Sequence, residues 1–228
     1  MLGIGRPERP KVVAFDIIGT VFPLEPLRAT FTAMGMAPAS LEGWFAAGCR
    51  DAFALAAVGD YEPFTKVLAG ALDQVLAEQG VDALAHERDA LVKQLETLTP
   101  REGAREAFAI LSAADIKLMA LSNGAQASTR KLLAECGLDA MVAEIVSVDE
   151  VKLAKPRGEV YRHAAARAGV ESGELALVAV HPWDIHGAAA AGLITAYLAA
   201  ERPYPSSMRA PDITGDTLPD LARSFAAL

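Results

Sequence analysis

One short apolar strand, then about eighty residues of helical pattern, then regular strand–helix alternation: this order limits the fold more than any other feature of the chain. Val12 to Phe15 is an apolar run with the length of a parallel strand covered on both faces. After it, Leu27–Met34, Leu41–Val58, Phe64–Gln79 and Leu84–Leu95 read as helices. Leu68, Leu72, Val75 and Leu76 repeat at helical spacing, so Phe64–Gln79 carries one apolar face. Gly59-Asp60 and Gly80-Val81-Asp82 punctuate the block.

Alternation resumes after Thr97-Leu98-Thr99-Pro100. Helices are expected at Gly103–Ala113, Ser128–Cys136, Val160–Ala168 and His186–Ala191, and strands at Lys117–Leu121, Glu144–Ser147, Leu175–Val180 and Thr195–Leu198. Repeated units of this length predict a parallel sheet with helices on both faces. Val12–Phe15 must join that sheet, because a lone strand cannot bury two faces. The expected fold is therefore α/β: a Rossmann-like core from residues 1–21 and 99–228, with an α-helical cap, 22–98, inserted after strand one. An insert there sits where it can close over a site. The tail from Glu201 to Gly215 reads as a surface loop, and Leu218, Leu221, Phe225 and Leu228 as a final docked helix. Met1–Pro10 lacks a basic start followed by an apolar core, so it reads as a short frayed arm and not a signal peptide.

Composition narrows the function classes. With 228 residues, 52% of them hydrophobic, the chain is well suited to burying a core. A net charge of −8 argues against a nucleic-acid partner. A small anionic substrate remains compatible, since a few local cations outweigh the global sign. No apolar stretch reaches the roughly 18 residues that span a bilayer, so no membrane partner is expected. Cys49 and Cys136 show no metal-ligand spacing and read as free thiols of a reducing cytoplasm.

Four polar segments follow expected strand ends: Asp16, Ser122-Asn123-Gly124, Lys155-Pro156 and His181-Pro182-Trp183-Asp184. Parallel strands send all these ends to one edge, where α/β sheets bind ligands. Each segment also has a purely structural reading. Asp16 caps a turn, Ser-Asn-Gly is an ordinary turn and helix start, Lys155 is a surface residue before a loop proline, and Asp184 caps a helix. Their convergence separates the two readings.

Together and in order, Phe15-Asp16-Ile17-Ile18-Gly19-Thr20, Leu121-Ser122-Asn123-Gly124, Lys155-Pro156 with Tyr161 six residues on, and Trp183-Asp184 resemble the haloacid dehalogenase superfamily, and within it the (S)-2-haloacid dehalogenase branch. The resemblance spans essentially the whole chain and implies hydrolytic cleavage of a carbon–halogen bond through a covalent aspartyl ester. It implies that Asp16 is the nucleophile, that Lys155 keeps it ionised, that Thr20 steadies its loop and that Asp184 orients the hydrolytic water. Ser122 and Asn123 are implied to bind the substrate carboxylate. Ile18, Trp183 and Tyr161 are expected to border the site, although Tyr161 fits a core position equally well.

The chain departs from the family patterns in three places. Phosphatases of the superfamily carry an acid two residues after the nucleophile, where this chain has Ile18, which has no proton to donate. That gap favours a halide leaving group, and no cofactor is then expected; the phosphatase alternative would use Mg2+ on Asp16 and Asp184. The dehalogenase branch has a halide-binding Arg just after a cap Trp, whereas Trp44 is followed by Phe45. Arg50 lies later on the same expected helix and is the candidate substitute, against a local pairing with Asp51. His181 stands where the branch has a smaller polar residue, either as a hydrogen-bond donor in the site or as a structural residue before proline. A third possibility is a diverged regulatory homologue whose cap mediates dimerisation; apolar helices such as Phe64–Gln79 could equally form a homodimer seam alongside an active site.

Overall fold

Residues 8–199 and 203–228 are described by a computed structural model; most of the expected Met1–Pro10 arm lies outside them. Six strands form one sheet in the order β3-β2-β1-β4-β5-β6. They are β1 (Val12–Asp16), β2 (Lys117–Ser122), β3 (Glu144–Ser147), β4 (Leu175–Ala179), β5 (Ile194–Leu198) and β6 (Ile213–Gly215), and every pairing is parallel. β1 lies at the centre, with Asp16 level with Leu121 of β2 and Phe15 level with Val178 of β4.

The pleat of β1 divides the core. Val13 and Phe15 face one layer, with Phe108 and Leu111 of α5 (Ala104–Ala113) and Leu221 and Phe225 of α9 (Leu218–Ala226). Val12 and Ala14 face the other, with Val160 and Ala164 of α7 (Gly158–Ala168) and Ile185 and Ala188 of α8 (Pro182–Ala190). Burying one such Val, Leu or Phe side chain is worth about 1.5–3 kcal/mol. α6 (Gln126–Glu135) connects β2 to β3.

Between β1 and α5 stand α1 (Arg28–Ala33), α2 (Ser40–Val58), α3 (Phe64–Gln79) and α4 (Ala85–Lys93). Leu68, Leu72, Val75 and Leu76 of α3 are buried, as the periodicity requires, and Trp44 Nε1 of α2 donates to the Leu68 carbonyl at 2.8 Å. This apolar stripe is thus turned inward, against α2.

Two expectations need correction. The tail is not all loop: β6 adds a three-residue edge strand, too short and too polar to show a period. Asp212 anchors it, its Oδ2 accepting from Thr195 N at 2.8 Å and Thr195 Oγ1 at 2.9 Å. α8 begins at Pro182 and not at His186, because proline fits the first helical position, where no N–H is needed. Asp184 therefore sits inside the first turn, and His181 is the residue before it.

Candidate active site

The ends of β1, β2 and β4, the loop between β3 and α7, and the starts of α7 and α8 bring Asp16, Thr20, Ser122, Asn123, Lys155, Tyr161, His181, Trp183 and Asp184 to one edge. Lys155 is the centre. Its Nζ donates to Asp16 Oδ1 at 2.8 Å, Asp184 Oδ2 at 2.7 Å and the Leu121 carbonyl at 3.1 Å. An ammonium has three protons, so each has one acceptor. The side chain is fully buried, and both carboxylates are nearly so. A buried charge of this kind persists only when paired.

The ionisation pattern follows. Burial pushes the Asp16 carboxyl up, but the Lys155 charge and the bonds from His181 and Lys155 more than reverse this, holding it well below the usual carboxylate range. Burial pulls Lys155 down, and the two carboxylates carry it above its usual value. Asp184 goes the other way: burial, with the Asp16 charge beside it, raises it above 3.8 despite Lys155. Two acids sharing one cation are thereby driven apart, with Asp16 the more firmly ionised. Tyr161, the residue with two sequence readings, is buried but belongs to this network. Its hydroxyl donates to Asp184 Oδ1 at 2.6 Å.

The Asp16 loop is fixed from three sides. Thr20 Oγ1 donates to Asp16 Oδ2 at 2.6 Å and accepts from Val180 N at 3.0 Å. Gly19 has φ +93°, and a Cβ there would fall 2.6 Å from the His181 ring, so side chains are excluded on both counts. Arg101, which sequence reasoning missed, donates to the Thr20 and Gly19 carbonyls, each at 2.9 Å. Its only signal is a position just after Pro100, which says nothing of a partner some eighty residues earlier in the chain.

Ser122 Oγ accepts from Gly124 N at 2.9 Å, and Asn123 Oδ1 accepts from Lys155 N at 2.9 Å, tying the turn to the lysine loop. Gly187 lets α8 press against that loop, since a Cβ there would lie 2.6 Å from Pro156 Cβ. His181 Nδ1 lies 3.0 Å from Asp16 Oδ2. Its ring stacks with Phe45, with centroids 5.5 Å apart, and with Trp183, at 5.1 Å. Phe53 of α2 meets Trp183 edge-on at 5.1 Å, and Phe64 of α3 meets Phe45 at 6.1 Å.

Asp16, Ile18, Phe45, Phe64, Ser122, Asn123, Gly124, His181 and Trp183 line a pocket with about 10 Å³ of water-sized space. That holds about one water. Arg50 does not reach it. Its side chain is exposed and pairs with Asp51 Oδ1 at 2.8 Å and Gln74 Oε1 at 3.0 Å, because it lies more than one turn beyond Phe45 on α2. The suggested Mg2+ pair, Asp16 and Asp184, does not fit a divalent cation. Lys155 stands between them, and Thr20, His181 and Tyr161 take the remaining oxygens.

Comparison with known proteins gives the family. The family model described as haloacid dehalogenase-like hydrolase matches residues 10–192. The chain is 31% identical over 138 residues to (S)-2-haloacid dehalogenase 1 of Pseudomonas sp. strain CBS-3, a match covering 60% of this chain and 61% of the relative. With (S)-2-haloacid dehalogenase of Pseudomonas sp. strain YL it shares 26% identity over 192 residues, 82% of each chain. The solved L-2-haloacid dehalogenase from Xanthobacter autotrophicus with chloropropionic acid covalently bound superposes with a TM-score of 0.85 at 25% identity, covering 94% of this chain and 97% of that one. Fold, strand-end carboxylate and family match converge: the chain belongs to the haloacid dehalogenase-like hydrolases.

Proposed function

We propose that this protein is a hydrolytic dehalogenase of the (S)-2-haloacid type, acting on a short 2-haloacid. The observation that carries the reading is an ionised Asp16, held by the three-way Lys155 contact, that faces a pocket with aromatic walls and no acid at Ile18. A carboxylate attacks carbon only when ionised, and a halide leaves without a proton. Asp16 would displace halide from C2, and Asp184 would orient the water that opens the ester. Ser122 and Asn123, with the backbone N–H groups of their turn, would hold the substrate carboxylate.

Residues 22–98 serve in this reading as a cap that opens to admit substrate. The water-sized pocket and the rings that α2 and α3 lay against His181 and Trp183 support that role. We extend the reading to a cytoplasmic protein, on its two unpaired cysteines, and to a homodimer, on the exposed Val58 beside the α2–α3 groove. Among the described residues no helix is long and apolar enough to cross a membrane.

Halide release from fluoro-, chloro- and bromo-substituted acids, run beside a panel of phosphate esters with and without chelator, tests the proposal. Halide release unaffected by chelator is expected. Phosphate release that chelator abolishes, with no halide, would replace the dehalogenase with the phosphatase.

A further inference from the structure

Any ester formed on Asp16 must be hydrolysed, and the attack of water places negative charge on the ester carbonyl oxygen. The two Asp16 oxygens are not equivalent for this purpose. Oδ1 accepts one side-chain hydrogen bond, from Lys155 at 2.8 Å. Oδ2 accepts two, from Thr20 Oγ1 at 2.6 Å and from His181 Nδ1 at 3.0 Å. A carboxylate oxygen offers about two lone-pair sites, so Oδ2 is filled while Oδ1 keeps one free. Attack on carbon needs a free pair. Oδ1 therefore forms the bond to substrate, and Oδ2 becomes the ester carbonyl.

We propose that Thr20 and His181 form the oxyanion pocket for hydrolysis of this ester, with His181 a catalytic residue donating Nδ1–H to Asp16 Oδ2. The inference rests on the dehalogenase reading above. Water oxygen bonds to Asp16 Cγ while its proton passes to Asp184, and the carbonyl π pair moves onto Oδ2. When that pair returns, the Cγ–Oδ1 bond breaks. The hydroxyacid leaves as an alkoxide and takes the proton back from Asp184. Asp16 then gives the second proton of the water to solvent and is regenerated as a carboxylate with one solvent oxygen, and Oδ1 departs in the product.

Both donors are aimed before the charge develops, which is what makes such a pocket effective. An ionised carboxylate only accepts, so the ring nitrogen facing Oδ2 carries the proton. The His181 ring cannot easily turn away: Phe45 and Trp183 both stack on it, and Gly19 lies against its edge. The Thr20 hydroxyl already accepts from Val180 N, which directs its own proton toward Oδ2.

The test uses the purified full chain and 2-chloropropionate or 2-bromopropionate, with rapid-quench halide release and intact-mass detection of an adduct on Asp16. His181→Phe keeps the ring stack and removes the donor; His181→Asn restores one. For His181→Phe the first-turnover halide burst should stay within about fivefold of the parent, while ester hydrolysis slows by about 10²–10³-fold and adduct accumulates. His181→Asn should recover at least about tenfold of that loss. Should His181→Phe not fold, His181→Ala should show the same accumulation. Ester hydrolysis at the parent rate in either donorless variant would overturn the oxyanion role alone. A parent protein that releases no halide and forms no adduct would overturn the dehalogenase reading and this inference with it.

Discussion

The two sides of the site, the sheet edge behind the pocket and the helical block facing it, are built from different chemistry. The sheet edge supplies Asp16, Thr20, Lys155 and Asp184, all buried and each held by at least two neighbours. The helical block supplies Phe45 and Phe64, rings without a hydrogen-bonding group. On the first side, removing one member strands another in a medium that penalises unpaired charge. On the second, removing a side chain changes shape and leaves every charge partnered. In the proposed reading, the difference separates where the reaction lies, at the sheet edge, from where substrate is selected, in the helical block.

Substitutions on the two sides should therefore differ in kind. Asp16→Asn should lose at least about 10⁴-fold in kcat, the scale expected when a covalent nucleophile is removed. Lys155→Met leaves two buried carboxylates without their cation. It should abolish the halide burst and cost about 3–5 kcal/mol in urea unfolding. A Lys155→Met protein with a normal burst would show that Asp16 does not depend on the ion pair for its charge.

The acid side of the pH profile sharpens the same comparison within the sheet edge. Asp16 is depressed, so its contribution to stability is present above its unfolded value of 3.8 and is lost only as pH falls through its lower folded value. Asp184 is raised, so its ionised form disappears first on acidification, and the kcat acid limb should follow Asp184. Tyr161→Phe removes a hydrogen bond that lowers Asp184, so that limb should move to higher pH. An unmoved limb would assign it to another group.

Changes on the helical side should be graded. Phe45→Ala should alter KM by about five- to tenfold and kcat less, since a pocket wall contributes about 1–3 kcal/mol of discrimination. Arg50→Ala should leave halide release within about twofold and stability within about 0.5 kcal/mol, as for an exposed, locally paired charge. A larger loss in Arg50→Ala than in Phe45→Ala would reverse the assignment of the cap wall.

Much of this arrangement was legible in the sequence, for definite reasons. Strand periods, glycine breaks and the rule that parallel strands share a C-terminal edge were enough to converge Asp16, Ser122, Lys155 and the His181–Asp184 segment. Phe64–Gln79 and Glu144–Ser147 have the expected bounds because apolar spacing and turn residues mark both their ends. What stayed hidden depends on direction. No local pattern tells that Arg50 leans toward Gln74, that the Tyr161 hydroxyl points at Asp184, or that the Arg101 guanidinium pins the Gly19–Thr20 carbonyls. Side-chain aim across long sequence separations is set by packing, and packing is not written in a window of neighbours.

The central claim is that Asp16 bonds covalently to substrate and is released by water attack at its own carboxyl carbon. A single turnover in heavy-oxygen water, with enzyme in excess, followed by peptide mass analysis, tests it directly. The account predicts heavy oxygen in Asp16 and unlabelled oxygen in the hydroxyacid. Label in the product with an unlabelled Asp16 would contradict it, because water would then have attacked the substrate itself.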